Sequence, residues 1–183
     1  MSRIPTPATI EAAPAASQPL LQAVKKQLGL TPNLFRLVAN SPAALEGYLS
    51  LSGALGKGEL PAATRERIAL AVAEINGCDY CLSAHTYLGR NVAKLDDGEI
   101  TANRGGASND IKADAAVRFA VKVTNLHGRV TDEDFAALKA TGYTDAQIIE
   151  IVQHVALNTW TNYINTVAQT EIDFPVVEAR KVA

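Results

Sequence analysis

Cys78, Cys81 and His85 fall in one short segment, Glu74-Ile-Asn-Gly-Cys-Asp-Tyr-Cys-Leu-Ser-Ala-His85. On a helix each residue advances by about 100°, which sets Cys81 about 60° and His85 about 20° from Cys78. Two thiols and an imidazole therefore share one helix face. Cys81 and His85 also stand four apart, close enough for sulfur and ring to interact. Met1 carries the only other sulfur, so any thiol chemistry of this chain is done here.

Three readings compete for the cysteines. A redox dithiol needs two sulfurs near enough to cyclise, and Cys-x-x-Cys at a helix start supplies that. A zinc site needs four ligands, and Cys78, Cys81 and His85 make three. The fourth would be Glu66, His127 or His154, none at a diagnostic spacing. The third reading makes both cysteines small buried hydrophobes. Redox ranks first, zinc second. Gly77 ends one helix and Cys78 opens the next, where the positive end of the helix dipole favours thiolate over thiol. Glu66 shares a helix face with Leu70 and Ala73, so its carboxylate needs a partner or a raised pKa, and such carboxylates make acid–base catalysts.

The elements that must position these groups read as helices throughout. Residues 1–19 carry Pro5, Pro7, Pro14 and Pro19 and read as an extended arm with no core of its own. Leu20, Leu21, Val24 and Leu28 repeat at helical spacing and stop at Gly29. Ser41-Pro42 opens a helix to about Leu55, as N-cap and first-turn proline. Helix 61–75 is apolar on every side over Ile68–Ala73, which predicts a central position, and the cysteine helix follows Asn76-Gly77. A short helix opens at Asp96 and ends in a loop at Asn103–Gly106, and a long amphipathic one runs from Asp110 to His127. Thr131 and Thr144 cap the last two, the second of which runs to about Thr170. No stretch keeps a period of two, so the expected fold is an all-α bundle of seven to nine helices, with residues 20–183 as its single domain.

A length of 183 residues suits one domain with a proper core. With 17 basic against 19 acidic residues there is no electrostatic pull toward nucleic acid. No apolar run approaches the roughly 20 residues that span a bilayer. The first residues, Met-Ser-Arg-Ile-Pro-Thr-Pro, lack the apolar stretch of a signal peptide, so the expectation is a cytoplasmic protein. In that reducing compartment a lone Cys-x-x-Cys pair is expected to be catalytic or metal-binding rather than a structural disulfide.

Glu66, Cys78-x-x-Cys81 and His85, with eleven residues between the glutamate and the first cysteine, resemble the AhpD-like/carboxymuconolactone decarboxylase superfamily. The segment Arg65–His85 resembles its peroxidase-related (alkylhydroperoxidase) branch, as do Thr31–Phe35 and Asn158–Tyr163, over about residues 30–175. The resemblance implies an AhpD-like helical bundle and a peroxidase that reduces hydroperoxides through a dithiol–disulfide cycle. It implies Cys81 as the peroxidatic cysteine, Cys78 as the resolving one, and Glu66 with His85 as a proton relay. No cofactor or metal is expected beyond the redox-active Cys78–Cys81 disulfide. The implied partners are a hydroperoxide, an external dithiol on a lipoylated or thioredoxin-like protein, and further copies of the chain in a hexamer or trimer. Neither nucleic acid nor membrane is expected as a partner. Decarboxylase members lack the Cys-x-x-Cys pair, which argues against that activity. The pattern departs where an alkylhydroperoxidase has histidine and this chain has Tyr80, a phenol that relays protons less readily near neutral pH. The alternatives are a thiol–disulfide electron adaptor and a non-enzymatic, oligomeric metal-binding protein.

Other polar residues have plainer readings beside a functional one. Tyr80, His154 and Asn158 are candidates to line a pocket. His154, Asn158, Asn162 and Asn165 form a polar stripe on the last helix, expected mainly to satisfy buried hydrogen bonds. Arg65 and Arg67 flank Glu66 and are expected to face solvent or a neighbouring subunit, and Arg104 to be a solvated loop residue.

Overall fold

The computed structural model describes residues 2–180; Met1 of the expected arm and residues 181–183 of the expected domain lie outside them. Among the described residues there are nine α-helices and no strand, as the absence of period-two patterning predicts. They are α1 (Gln18–Leu28), α2 (Asn33–Val38), α3 (Pro42–Leu55), α4 (Ala62–Ile75), α5 (Asp79–Asn91), α6 (Asp97–Arg104), α7 (Ile111–Asn125), α8 (Asp132–Ala140) and α9 (Asp145–Ala168). No helix is long and apolar enough to cross a membrane.

Local signals set most boundaries. Gly29 takes a left-handed φ of 78° and ends α1. The Ser41 side chain accepts the Ala44 N–H, with Pro42 in the first turn of α3. Thr131 with Asp134, and Thr144 with Gln147, complete reciprocal capping boxes on α8 and α9. Helix α4 packs against α5, α6, α7 and α9 and is the centre of the molecule. Its residues Ile68–Ala73 are all buried, and they divide between two apolar clusters. Leu70 and Ala73 face the cluster with α1–α3 and α5, while Ile68 and Val72 face the one with α7–α9. The three alanines let these neighbours approach the α4 backbone closely, which brings the carboxylate of Glu66 within reach of α5.

Two expectations need correction, those for Arg104 and Arg67. The arm itself packs on the rest of the chain. Its carbonyls are taken by side-chain donors: Asn40 donates to Pro5 O (2.8 Å), and Arg36 to Pro7 O (3.2 Å) and Ala8 O (2.8 Å). Ala13 is buried and Ile10 packs on the core. The tail behaves likewise: Phe174 sits edge-on to Tyr80 at 5.9 Å, and Val177 N donates to Ser83 Oγ at 2.9 Å. Arg104 is not a solvated loop residue, since α6 continues through it. Its Nε pairs with Glu74 Oε2 at 2.5 Å, and its Nη2 donates to Glu178 O at 2.7 Å, tying the tail to α4. Arg67 does not face solvent either. It pairs with the buried Glu99, whose oxygens also accept from Asn103, Ser108 and the Asn109 N–H, and this ties α4 to α6.

Candidate active site

The turn between α4 and α5 places both sulfurs. Gly77 takes φ of 64°, a conformation that costs a residue with a Cβ roughly 1–2 kcal/mol, and reverses the chain direction after α4. Cys78 then becomes the N-cap of α5, and its Sγ accepts the Cys81 N–H at 3.3 Å. A thiol here fills the place that serine or aspartate takes in other caps. Both cysteines are free and buried. Cys81 Sγ accepts from Asn165 Nδ2 of α9 at 3.4 Å.

The two thiols are driven apart electrostatically, and in the opposite sense to the expectation drawn from the helix start. Cys81 lies well below the ordinary thiol value: the Cys78 S–H donates to its sulfur, and that outweighs the burial that works against it. The charge of His85 and the amides of Asn162 and Asn165 add to the effect. Cys78 is pushed up, by the hydrogen bond it gives to Cys81 and then by burial. The thiolate therefore belongs on Cys81, with Cys78 as its proton-bearing neighbour.

Glu66 has the partner that its apolar surroundings demand. Its Oε2 lies 2.8 Å from His85 Nδ1, with both side chains about one-fifth exposed. Burial works to lower the His85 pKa, but the Glu66 carboxylate, the hydrogen bond to it and the Cys81 charge outweigh this and raise it. The site thus sets the His85 ring, its protonated form favoured, beside a carboxylate and a thiol of low pKa. Among the described residues no three of His, Cys, Asp and Glu converge to hold a metal ion.

Cys81, Glu66 and His85 line a cavity of about 340 Å³. The three residues expected to form a pocket, Tyr80, His154 and Asn158, line the same cavity. Cys78 does not. It opens with Asn165, Thr166 and Gln169 onto a separate cleft of similar volume. Tyr80 serves structure as well, because its hydroxyl accepts the Leu34 N–H at 3.0 Å and holds the start of α2. Burial raises its pKa, which favours the neutral phenol. Asn165, one of the polar stripe on α9, contacts Cys81 Sγ, and Arg65, expected to face solvent or a neighbouring subunit, lines the cavity. Tyr48 also lines it and escaped the sequence reading, which offered no signal for it.

His154 is 6% exposed, and its pKa falls to about 4, from burial and then from the charge of Arg65. An unfolded histidine, at the ordinary 6.5, takes up a proton first as pH falls, so the folded state loses stability between about pH 6.5 and 4. Between pH 7.5 and 4.5 this residue should account for about 2–3 kcal/mol of lost stability. Urea unfolding of wild type and His154→Asn at both pH values checks this. An equal acid loss in the two proteins would contradict it.

The comparisons with known proteins support the AhpD-like/carboxymuconolactone decarboxylase superfamily for this chain. The carboxymuconolactone decarboxylase family model matches residues 42–125, the stretch from α3 through α7 that carries Glu66, both cysteines and His85. Over almost its whole length the chain is similar to a structure described as the alkylhydroperoxidase AhpD core of an uncharacterized peroxidase-related protein from Ralstonia eutropha JMP134. The two share 27% identity with a TM-score of 0.83, covering 94% of this chain and 92% of that one. An uncharacterized peroxidase-related protein from Silicibacter sp. TM1040 matches at 24% identity and TM-score 0.78, covering 91% of each chain. A cysteine-to-alanine variant of the debrominase Bmp8, in complex with 2,3,4-tribromopyrrole, matches at 20% identity and TM-score 0.75, covering 92% of this chain and 90% of that one. These last two likenesses concern the fold. No match was found among curated protein sequences. The fold is therefore that of AhpD-like, peroxidase-related proteins.

Proposed function

We propose that the protein is a thiol-dependent peroxidase that reduces organic hydroperoxides at Cys81. The observation that carries the reading is a low-pKa cysteine, hydrogen-bonded to a second thiol, at the wall of a cavity that also holds a Glu66–His85 pair. The Cys81 thiolate attacks the distal oxygen of the hydroperoxide and the O–O bond breaks. The departing alkoxide takes a proton from His85 and leaves as alcohol. Cys81 is now a sulfenic acid, two electrons more oxidised. Cys78 sulfur attacks it, the Cys78 proton leaves with the hydroxyl as water, and the Cys78–Cys81 disulfide forms. An external dithiol, presented by a lipoylated or thioredoxin-like protein, is oxidised to its own disulfide; of its two protons one restores the Cys78 thiol and the other returns to His85, held by the Glu66 carboxylate, leaving Cys81 as thiolate. The sum is one hydroperoxide and one dithiol giving alcohol, water and one disulfide. The cycle needs no bound cofactor.

The test is hydroperoxide consumption with dihydrolipoamide, thioredoxin or glutathione as alternative reductants. Turnover with a dithiol supports the peroxidase. Reduction and reoxidation by protein partners without peroxide consumption would favour the electron adaptor instead.

The same reading includes self-association as a hexamer or trimer. With the arm and tail packed on their own chain, support comes from α9, where Ile149, Val152, Tyr163 and Val167 repeat at helical spacing and stay exposed. Light scattering should return a multiple of 19.4 kDa. A monomer mass at micromolar concentration would contradict assembly.

A further inference from the structure

The cavity over Cys81 contains two polar groups that the redox cycle leaves unused. Arg65 lines it, and its Nη1 donates to the carbonyls of Leu55 (3.0 Å) and Gly56 (2.9 Å) at the end of α3. These bonds fix the guanidinium in place without neutralising it. Among the described residues Arg65 is in no ion pair. The nearest carboxylate in sequence, Glu66, is engaged by His85. His154 lines the same cavity, is 6% exposed, and has a buried Nε2 with no hydrogen-bond partner. A buried ring nitrogen left without a partner costs stability.

We propose that Arg65 and His154 form an anion subsite, and that the hydroperoxide taken at Cys81 carries a carboxylate. The inference rests on Cys81 as the reacting sulfur. A guanidinium held by its other donors presents a planar fork to a carboxylate, and the imidazole of His154 on the same wall adds a second polar group. The charge pattern also orients the substrate. The Cys81 thiolate and Glu66 repel a carboxylate, so it settles against Arg65 and His154 while the uncharged remainder turns toward the sulfur. About 340 Å³ suits a small organic acid, and the apolar part of the chain meets Leu34, Ala69 and Leu157 of the same wall.

The test uses the reduced protein without peroxide. Hexanoate and hexan-1-ol, at constant ionic strength, are titrated as protectants of Cys81 against alkylation by iodoacetamide, read by peptide mass spectrometry. Hexanoate should half-protect at a concentration about tenfold or more below that of hexan-1-ol, the ratio expected for one charge-assisted contact. Arg65→Gln should bring that ratio toward one, Arg65→Lys should keep part of it, and His154→Phe should lower it, with circular dichroism reporting the fold of each. Equal protection by the two compounds in wild type overturns the subsite, whatever the variants do, as does a hexanoate advantage that survives Arg65→Gln. Because no turnover is needed, a hexanoate preference in a protein that consumes no hydroperoxide would remove the peroxidase reading and leave the subsite standing. Peroxidase activity without the preference would do the reverse.

Discussion

Replacing Cys81 by serine is expected to abolish oxidation of the chain by hydroperoxide, whereas Cys78→Ser should stop the cycle one step later, with a sulfenic acid held at Cys81. The asymmetry follows from which sulfur bears the charge. Cys81 is the stronger acid of the two because Cys78 donates its proton toward it and because His85 and the amides of Asn162 and Asn165 surround it. Only a thiolate attacks peroxide at a useful rate, so serine at 81 leaves nothing to react. Serine at 78 keeps the N-cap but removes the resolving sulfur, so the sulfenic acid persists. A sulfenate-selective label after peroxide treatment should therefore mark Cys81 in Cys78→Ser and nothing in Cys81→Ser. Labelling of Cys78 in the Cys81→Ser protein at the wild-type rate would reverse the two roles.

Glu66→Gln is expected to lower the rate of peroxide reduction by about 10²–10⁴-fold with the helical content unchanged. Glutamine keeps the shape and still meets His85 Nδ1. It cannot hold the ring as an imidazolium, because the carboxylate charge is what overcomes burial in raising the His85 pKa. The departing alkoxide then lacks its proton donor, and Cys81 loses a neighbouring positive charge. The rate–pH profile separates this from a packing effect: losing the carboxylate lowers the His85 pKa, so the alkaline limb set by His85 should move to lower pH. Wild-type activity in Glu66→Gln would leave Glu66 as a structural carboxylate.

What was legible in the sequence is what local chemistry decides. Ser41-Pro42, Thr131, Thr144 and Gly29 each cap a helix with atoms a few residues away, so their boundaries read directly from the chain. Helix α2 did not. It has six residues, and its first N–H groups are met by Asp173 (2.7 Å to Asn33) and Tyr80, partners remote in sequence. Where the proline-rich arm packs was illegible for a similar reason. Its carbonyls find donors on Arg36 and Asn40, and composition alone gives no hint of that. The same division runs through the site. Glu66, Cys78, Cys81 and His85 come from consecutive helices and kept their register in the sequence. Tyr48 from α3 and Asn165 from α9 join them through packing around α4. Arg65, expected to face solvent or a neighbouring subunit, instead lines the cavity together with Glu66.

The most direct test of the dithiol account is a single turnover. The reduced protein is mixed with one equivalent of an organic hydroperoxide, no reductant is present, and the intact mass and small-molecule products are read together. One alcohol per chain should appear as the protein loses two hydrogens, and peptide mapping should place the new disulfide between Cys78 and Cys81. An unchanged mass with the hydroperoxide intact, or oxygen retained on a sulfur with no disulfide formed, would contradict it.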